Sequence, residues 1–421
     1  MTTPVVDLWG PATPGARTEI SAAPEPHDEW ELTGGKAWVF YSPLNRRQLT
    51  RPVILSDGFS AGPSRLDQLW AGLEENDDYR FVSELHATGH DVIILGYDNR
   101  AASITANADT VIDCIRRALA ERVGRSKLVV GGFSMGGLVT RYALAKMEQD
   151  PSLPDHETSL YLSYDTPHQG AWLPVALQAF THFAADNWGE VPLVGEKLRQ
   201  FSALLNSPAA RQMARWHLEK ATGTVKEDRE RVEFLQALEE LGGWPRSVRR
   251  IGVANGVATG NGNGNGIKPD VTAVRADGET LVDTWLKTQA TGDQEVARLQ
   301  RKGGEAVSVR TSGLPDIDGA PGGLFTAPSE QGDPGSFGLV ALLCRLLGNT
   351  VDPDVIATSC FIPAISALAA GDISDPKVLY RPITPDNSEL DAFKAAGRNE
   401  GHTTMTEELG AWIVNEIVAI S

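Results

Sequence analysis

A chain of 421 residues can bury a large core, either as two or three average domains or as one large α/β domain with insertions. Its 41% hydrophobic and 22% charged residues exclude wholesale disorder. With 55 acidic against 38 basic residues the formal net charge is -17, and such a surface repels phosphate backbones, which excludes nucleic acid and anionic membrane as favoured partners. Residues 1–35, rich in Pro, Gly and acidic groups, are expected to wrap the surface. They lack the basic start and apolar core of a secretory signal. No stretch approaches the roughly 18 apolar residues that span a bilayer, so the expected location is cytoplasmic.

Trp38–Tyr41 reads as a strand ahead of a βα alternation. Pro52–Leu55 and Asp91–Gly96 are apolar strands, with a helix over Phe81–Ala87 between them. A helical period places Ala108, Val111, Ile112, Ile115 and Leu119 on one face. The strand starting at Leu128, a helix carrying Leu138, Tyr142 and Ala145, and the strand Ser159–Tyr164 follow. Strands this apolar belong to a parallel sheet covered by helices on both faces. The expected divisions are core from 36 to 170, a helical cap at 171–248, and a core strand with a Gly/Asn loop at 249–270. A β-rich insertion with a loop at 271–335 and a return to the core over 336–421 complete them. Within the insertion, Thr280–Val282 and Ala306–Val309 are expected strands, and Lys377–Tyr380 is expected to be the last strand of the core. A final helix puts Met405, Leu409, Trp412, Ile413 and Ile417 on one side.

Between strand and helix the chain reads Gly132-Phe133-Ser134-Met135-Gly136. A serine on such a tight turn projects its hydroxyl above the sheet, and the following helix aims its first amides at the same place. A serine hydroxyl is a poor nucleophile without a base. His402 is the best-placed candidate, on a loop just before the terminal helix. The acid that orients it is expected to be Asp165, at the end of the strand after the nucleophile strand, with Asp354, Asp372 and Asp386 as alternatives. The oxyanion of an acyl transfer needs two amide donors. Those expected are the N–H groups of Met135 and of Phe59, the latter on the Ser56–Ser60 loop, where Gly58 frees the turn.

His168 is read as tying its own loop down, and His86 and His90 as a helix end and turn. His27, His156, His182 and His217 have no supporting neighbours. No cofactor or metal is expected. The glycine repeat at 260–266 lacks aspartates, and Asp316-Ile317-Asp318-Gly319 opens like a calcium loop without the later ligands. Cys114, Cys344 and Cys360 show no metal or disulfide spacing; Cys114 and Cys344 are expected as buried thiols, and a reducing compartment is favoured.

Taken together, Asp57-Gly58-Phe59, Gly132–Gly137, Thr166-Pro167-His168-Gln169-Gly170 and Gly401-His402 resemble the α/β-hydrolases, more narrowly the lipases and esterases. Asp57 stands where such lipases often carry histidine. The resemblance covers about residues 50–170 and 375–421, and an acid after the neighbouring strand resembles pancreatic-type lipases. It implies a carboxylic ester hydrolase working through an acyl-serine, and the tryptophans and aliphatics of the expected cap suggest a small substrate with an apolar acyl or alcohol portion. An acyltransferase, cyclase or thioesterase with the same triad, or a non-catalytic binding protein on this fold, are the alternatives.

Overall fold

The computed structural model describes residues 21–74, 79–192, 194–260, 267–325, 335–356 and 358–420. The first twenty residues of the expected wrap, most of the Gly/Asn loop and residues 326–334 of the loop ending at 335 therefore lie outside the described residues. Strands β1 (Asp28–Leu32) and β2 (Gly35–Phe40) form an antiparallel pair, so the wrap ends in an edge strand of the main sheet. Trp30 anchors it, buried against the helix layer. The βα alternation follows as β3 (Pro52–Ser56), α1 (Leu66–Glu74), α2 (Phe81–Ala87), β4 (Asp91–Tyr97) and α3 (Ile104–Glu121). Next come β5 (Leu128–Phe133), α4 (Met135–Gln149) and β6 (Thr158–Tyr164).

The segment expected as the cap contains α5 (Val175–Trp188), α6 (Gly195–Leu205), α7 (Pro208–Met213) and α8 (Arg229–Glu240), and the chain returns to the sheet at β7 (Arg249–Ala254). The insertion builds β8 (Thr272–Gly278), β9 (Thr284–Lys287), β10 (Gln294–Gln300) and β11 (Ala306–Thr311). Thr280–Val282, expected as a strand, is instead the turn between β8 and β9, closed by the Gly278 N–H on the Leu281 carbonyl. Then follow β12 (Gly322–Leu324), α9 (Gly335–Leu346), β13 (Asn349–Val351), β14 (Cys360–Pro363), α10 (Ala364–Ala367), α11 (Pro376–Leu379), β15 (Ala392–Ala395) and α12 (Glu407–Ile420).

Two expectations are corrected here. Lys377–Tyr380 is not a strand but lies on α11, because Pro376 suits a first helical turn and the Asp375 carboxylate accepts the Lys377 N–H at 2.9 Å. The last sheet strand is β15, parallel to β7. The core also does not resume at 336: β13 pairs with β8 in a second sheet of order β11-β10-β9-β8-β13, and β14 pairs with β12 as a separate ribbon.

The main sheet has the order β1-β2-β4-β3-β5-β6-β7-β15 and is parallel from β4 to β15. This is the α/β-hydrolase architecture. α3 and α4 cover one face, and α1, α2 and α12 the other. The continuous apolar runs of β3 to β6 follow from that double burial. Parallel strands bring their C-terminal ends to one rim, where the loops after β3, β5, β6, β7 and β15 meet.

Candidate active site

The turn from β5 to α4 is a sharp elbow at Ser134, with φ 53° and ψ -121°. A Cβ on Gly136 would stand 2.5 Å from the carbonyl oxygens of Ser56 and Asp57, so glycine is what lets the elbow lie against the end of β3. Ser134 N–H donates to the Tyr164 carbonyl at 2.8 Å, which holds the turn from the β6 side. Met135 is the first residue of α4, and helix geometry gives its N–H no partner within the helix.

Three side chains far apart in sequence converge above that elbow. Ser134 Oγ lies 2.8 Å from His402 Nε2, and His402 Nδ1 lies 2.7 Å from Asp165 Oδ2. A carboxylate can only accept, so Nδ1 carries the proton and Nε2 is left as the acceptor for the serine hydroxyl. Asp165 is fully buried and its second oxygen, Oδ1, accepts the Asn255 N–H at 3.0 Å. Asp354, Asp372 and Asp386 are exposed elsewhere, Asp372 within 3.6 Å of Arg215 in the cap. Ser134, Asp165 and Thr403, next to the histidine, all have positive φ, at 53°, 44° and 59°.

The β12–β14 ribbon supports the histidine loop. Leu324 N–H donates to the Glu400 carbonyl at 2.8 Å, and the Leu324 carbonyl accepts the His402 N–H at 2.9 Å. Phe361, on β14, meets the His402 ring edge-on at 4.9 Å. Gly323 packs so closely on the Asp165 carboxylate that a Cβ there would overlap Oδ2. From the other side the Thr404 carbonyl accepts the Tyr164 hydroxyl and the Asn255 side-chain amide, each at 2.7 Å.

None of these supports carries a signature in the sequence: Asn255 offers no carboxylate or motif, and Gly323 and Phe361 belong to segments with no recognisable motif.

Phe59 and Ser134 line one cavity of about 650 Å³, together with Leu55, Leu69, Leu73 and Phe133. Asp57, in the position the resemblance gives to histidine, also lines this cavity and is buried. It accepts the Gly58 N–H and the Ser64 hydroxyl, both at 2.6 Å, and lies 3.6 Å from Arg100. Burial raises its carboxyl above the usual range, opposed by the Arg100 charge and the Ser64 and Gly58 hydrogen bonds.

The remaining histidines stand apart from the cavity. His168 is buried, 3.3 Å from the Arg141 guanidinium, and its ring packs against Trp244. Burial first and the Arg141 charge second keep it well below the usual imidazole value. His86 Nε2 meets the Phe40 carbonyl, and His90 Nδ1 meets the Thr88 hydroxyl. Asp318 is buried and accepts from Trp172 Nε1 at 2.8 Å and from the Gln289 N–H at 2.6 Å, which makes it a joint between cap and insertion. Among the described residues no group of three or more acidic, histidine or cysteine side chains is placed to hold a metal. The three cysteines are free and buried.

The sequence of residues 91–152, from β4 to just beyond α4, matches the family described as Phospholipase/Carboxylesterase. No curated protein matches the chain in sequence. Among solved structures, the mature lipase BlEst2 of Bacillus licheniformis is 14% identical, with a TM-score of 0.31 over 52% of this chain and 71% of its own. The thermophilic carboxylesterase EstE1, from a metagenomic library, is 11% identical, with a TM-score of 0.33 over 54% of this chain and 67% of its own. Est1E of Butyrivibrio proteoclasticus is 13% identical, with a TM-score of 0.24 over 36% of this chain and 55% of its own. The fold assignment rests on the sheet order and the elbow described above.

Proposed function

We propose that this chain is a serine hydrolase of carboxylic esters, with Ser134 as nucleophile, His402 as base and Asp165 as the acid that orients it. The observation that carries the reading is the unbroken line of two hydrogen bonds, Oγ to Nε2 at 2.8 Å and Nδ1 to Oδ2 at 2.7 Å. In the first step Ser134 Oγ bonds to the ester carbonyl carbon as its proton passes to His402 Nε2. The imidazolium that forms is stabilised by the buried Asp165 carboxylate. The carbonyl oxygen gains charge opposite the N–H groups of Met135 and Phe59, and a donor of this kind is worth about 10²–10³ in rate. Collapse breaks the bond to the alcohol, whose oxygen takes the proton from Nε2. Water then repeats the sequence in reverse and frees the acid.

Leu55, Leu69 and Leu73 in the cavity favour an apolar group on the substrate. The three buried free thiols are compatible with a reducing compartment. Among the described residues no helix is long and apolar enough to cross a membrane.

The test is labelling by a fluorophosphonate probe together with a screen of p-nitrophenyl esters of increasing chain length. Wild-type protein is expected to label and turn over esters, and Ser134→Ala to do neither. A folded wild type that does neither would overturn the reading.

A further inference from the structure

Arg100, between β4 and α3, has a side chain only 5% exposed, and Asp57, just after β3, has one 2% exposed; Nη1 and Oδ2 lie 3.6 Å apart. Two buried charges are tolerated only where both are well partnered. The Asp57 carboxylate accepts the Gly58 N–H at one oxygen and the Ser64 hydroxyl at the other. Arg100 donates from Nη2 to the Ala61 carbonyl at 2.9 Å and from Nε to the Gly62 carbonyl at 3.4 Å. Its backbone N–H also reaches the Gly62 carbonyl, at 3.3 Å. All of these bonds fall on the loop from 57 to 64.

That loop rests on the nucleophile. A Cβ on Gly58 would stand 3.3 Å from Ser134 Cβ and 3.2 Å from the Phe133 carbonyl oxygen, so loop and elbow are in direct contact. Asp57 and Gly58 line the same cavity as Ser134. On the hydrolase reading above, the carbonyl oxygen of the ester becomes negative beside this loop. A bare carboxylate at Asp57 would oppose that charge, and more strongly here than in water, because the group is buried. Burial raises the Asp57 carboxyl, and the Arg100 charge is the first influence that opposes the rise.

We propose that Arg100 is a positioning residue for ester hydrolysis: it balances the Asp57 carboxylate beside the oxyanion and ties the loop from 57 to 64 against Ser134. The proposal rests on the hydrolase reading. It carries an asymmetry within the pair. Without Arg100, a fixed negative charge faces the developing one. Without the Asp57 charge, a positive one remains, which favours the oxyanion. A pair that served stability alone would not distinguish the two, because either partner left by itself is a buried, unpaired charge.

The test compares wild type, Arg100→Met, Asp57→Asn and the double variant on p-nitrophenyl butyrate, with a melting temperature for each. Asp57→Asn keeps an oxygen for the Gly58 N–H. Both single variants are expected to melt several degrees below wild type. Arg100→Met is expected to lower kcat about thirtyfold or more and Asp57→Asn less than about fivefold, and the double variant to regain about fivefold or more over Arg100→Met. Rates of fluorophosphonate labelling should fall in the same order, since that reaction also builds charge on an oxygen beside the loop. If Arg100→Met does not fold, Arg100→Gln takes its place, and Asp57→Asn alone still tests the asymmetry. Equal losses of kcat in the two single variants, or a double variant slower than Arg100→Met, overturn the proposal, while ester turnover by wild type leaves the hydrolase reading standing. A wild type that turns over no ester and takes no fluorophosphonate overturns both.

Discussion

Asp165 divides its carboxylate between two tasks: Oδ2 holds the imidazole, and Oδ1 is held in turn by the Asn255 amide. Neither oxygen is open to water, so an imidazolium formed at His402 in the proposed reaction would have a fixed, desolvated counter-charge that cannot turn away. Asp165→Asn keeps the shape but places an amide against Nδ1, which favours the wrong tautomer. Turnover is expected to fall by about 10³–10⁴ with the melting temperature little changed. A loss under fivefold in steady-state kinetics would remove Asp165 from its role. Ser134, Asp165 and His402 stood out in the sequence because each has a local signature: a glycine-flanked turn, a strand end, a loop before a terminal helix. Asn255 and Gly323 had none. One offers its backbone and side-chain amides and the other only a missing side chain, and both matter through contact with residues far away in the chain.

The same limit acts on whole elements. Strands and helices of the main sheet were legible from their periods, because burial on two faces leaves unbroken apolar runs. The stretch Lys377–Tyr380 has such a composition but sits behind Asp375 and Pro376, and helix capping outweighed its strand propensity. β15, with every residue only half-buried, has too weak a pattern to be noticed. The ribbon of β12 and β14 was invisible for another reason: its three- and four-residue strands make sense only once each finds the other. It nevertheless carries the backbone bonds of the histidine loop. Leu324→Pro removes the N–H that bonds to Glu400, and a misplacement of about 1 Å at the base costs on the order of 10² in rate. We expect kcat on a short ester to drop at least tenfold, with KM changed by less than threefold, because Leu324 does not line the cavity at Ser134. An unchanged kcat in a folded variant would show that the ribbon does not position His402.

Cap and insertion do not sit on the sheet as separate additions; their buried side chains form one continuous cluster that reaches Ala254 at the end of β7. Asp318 is buried beside that cluster, bonded to its member Trp172, and burial pushes the carboxyl up to about 6 against the hydrogen bonds from Trp172 and Gln289. The folded chain therefore keeps this proton where the unfolded chain has already released it. The stability that follows is complete below the ordinary carboxylate range and is lost as pH rises through about 6. Between pH 5 and pH 7.5 the loss is about 1.4 kcal/mol at 1.36 kcal/mol per unit. Urea unfolding should show wild type losing that amount relative to Asp318→Asn over the interval, and a difference that stays flat would mean Asp318 is not desolvated as described. A last consequence concerns the left-handed backbone at Ser134, Asp165 and Thr403. Each such residue costs of the order of 1–3 kcal/mol, and these three crowd one rim, whereas the other non-glycine residues with positive φ, among them Arg46, Glu157 and Asp283, lie elsewhere in the chain. Selection of variants for heat resistance alone would therefore find gains at glycine replacements here, and each gain would surrender the aim of the group it relaxes.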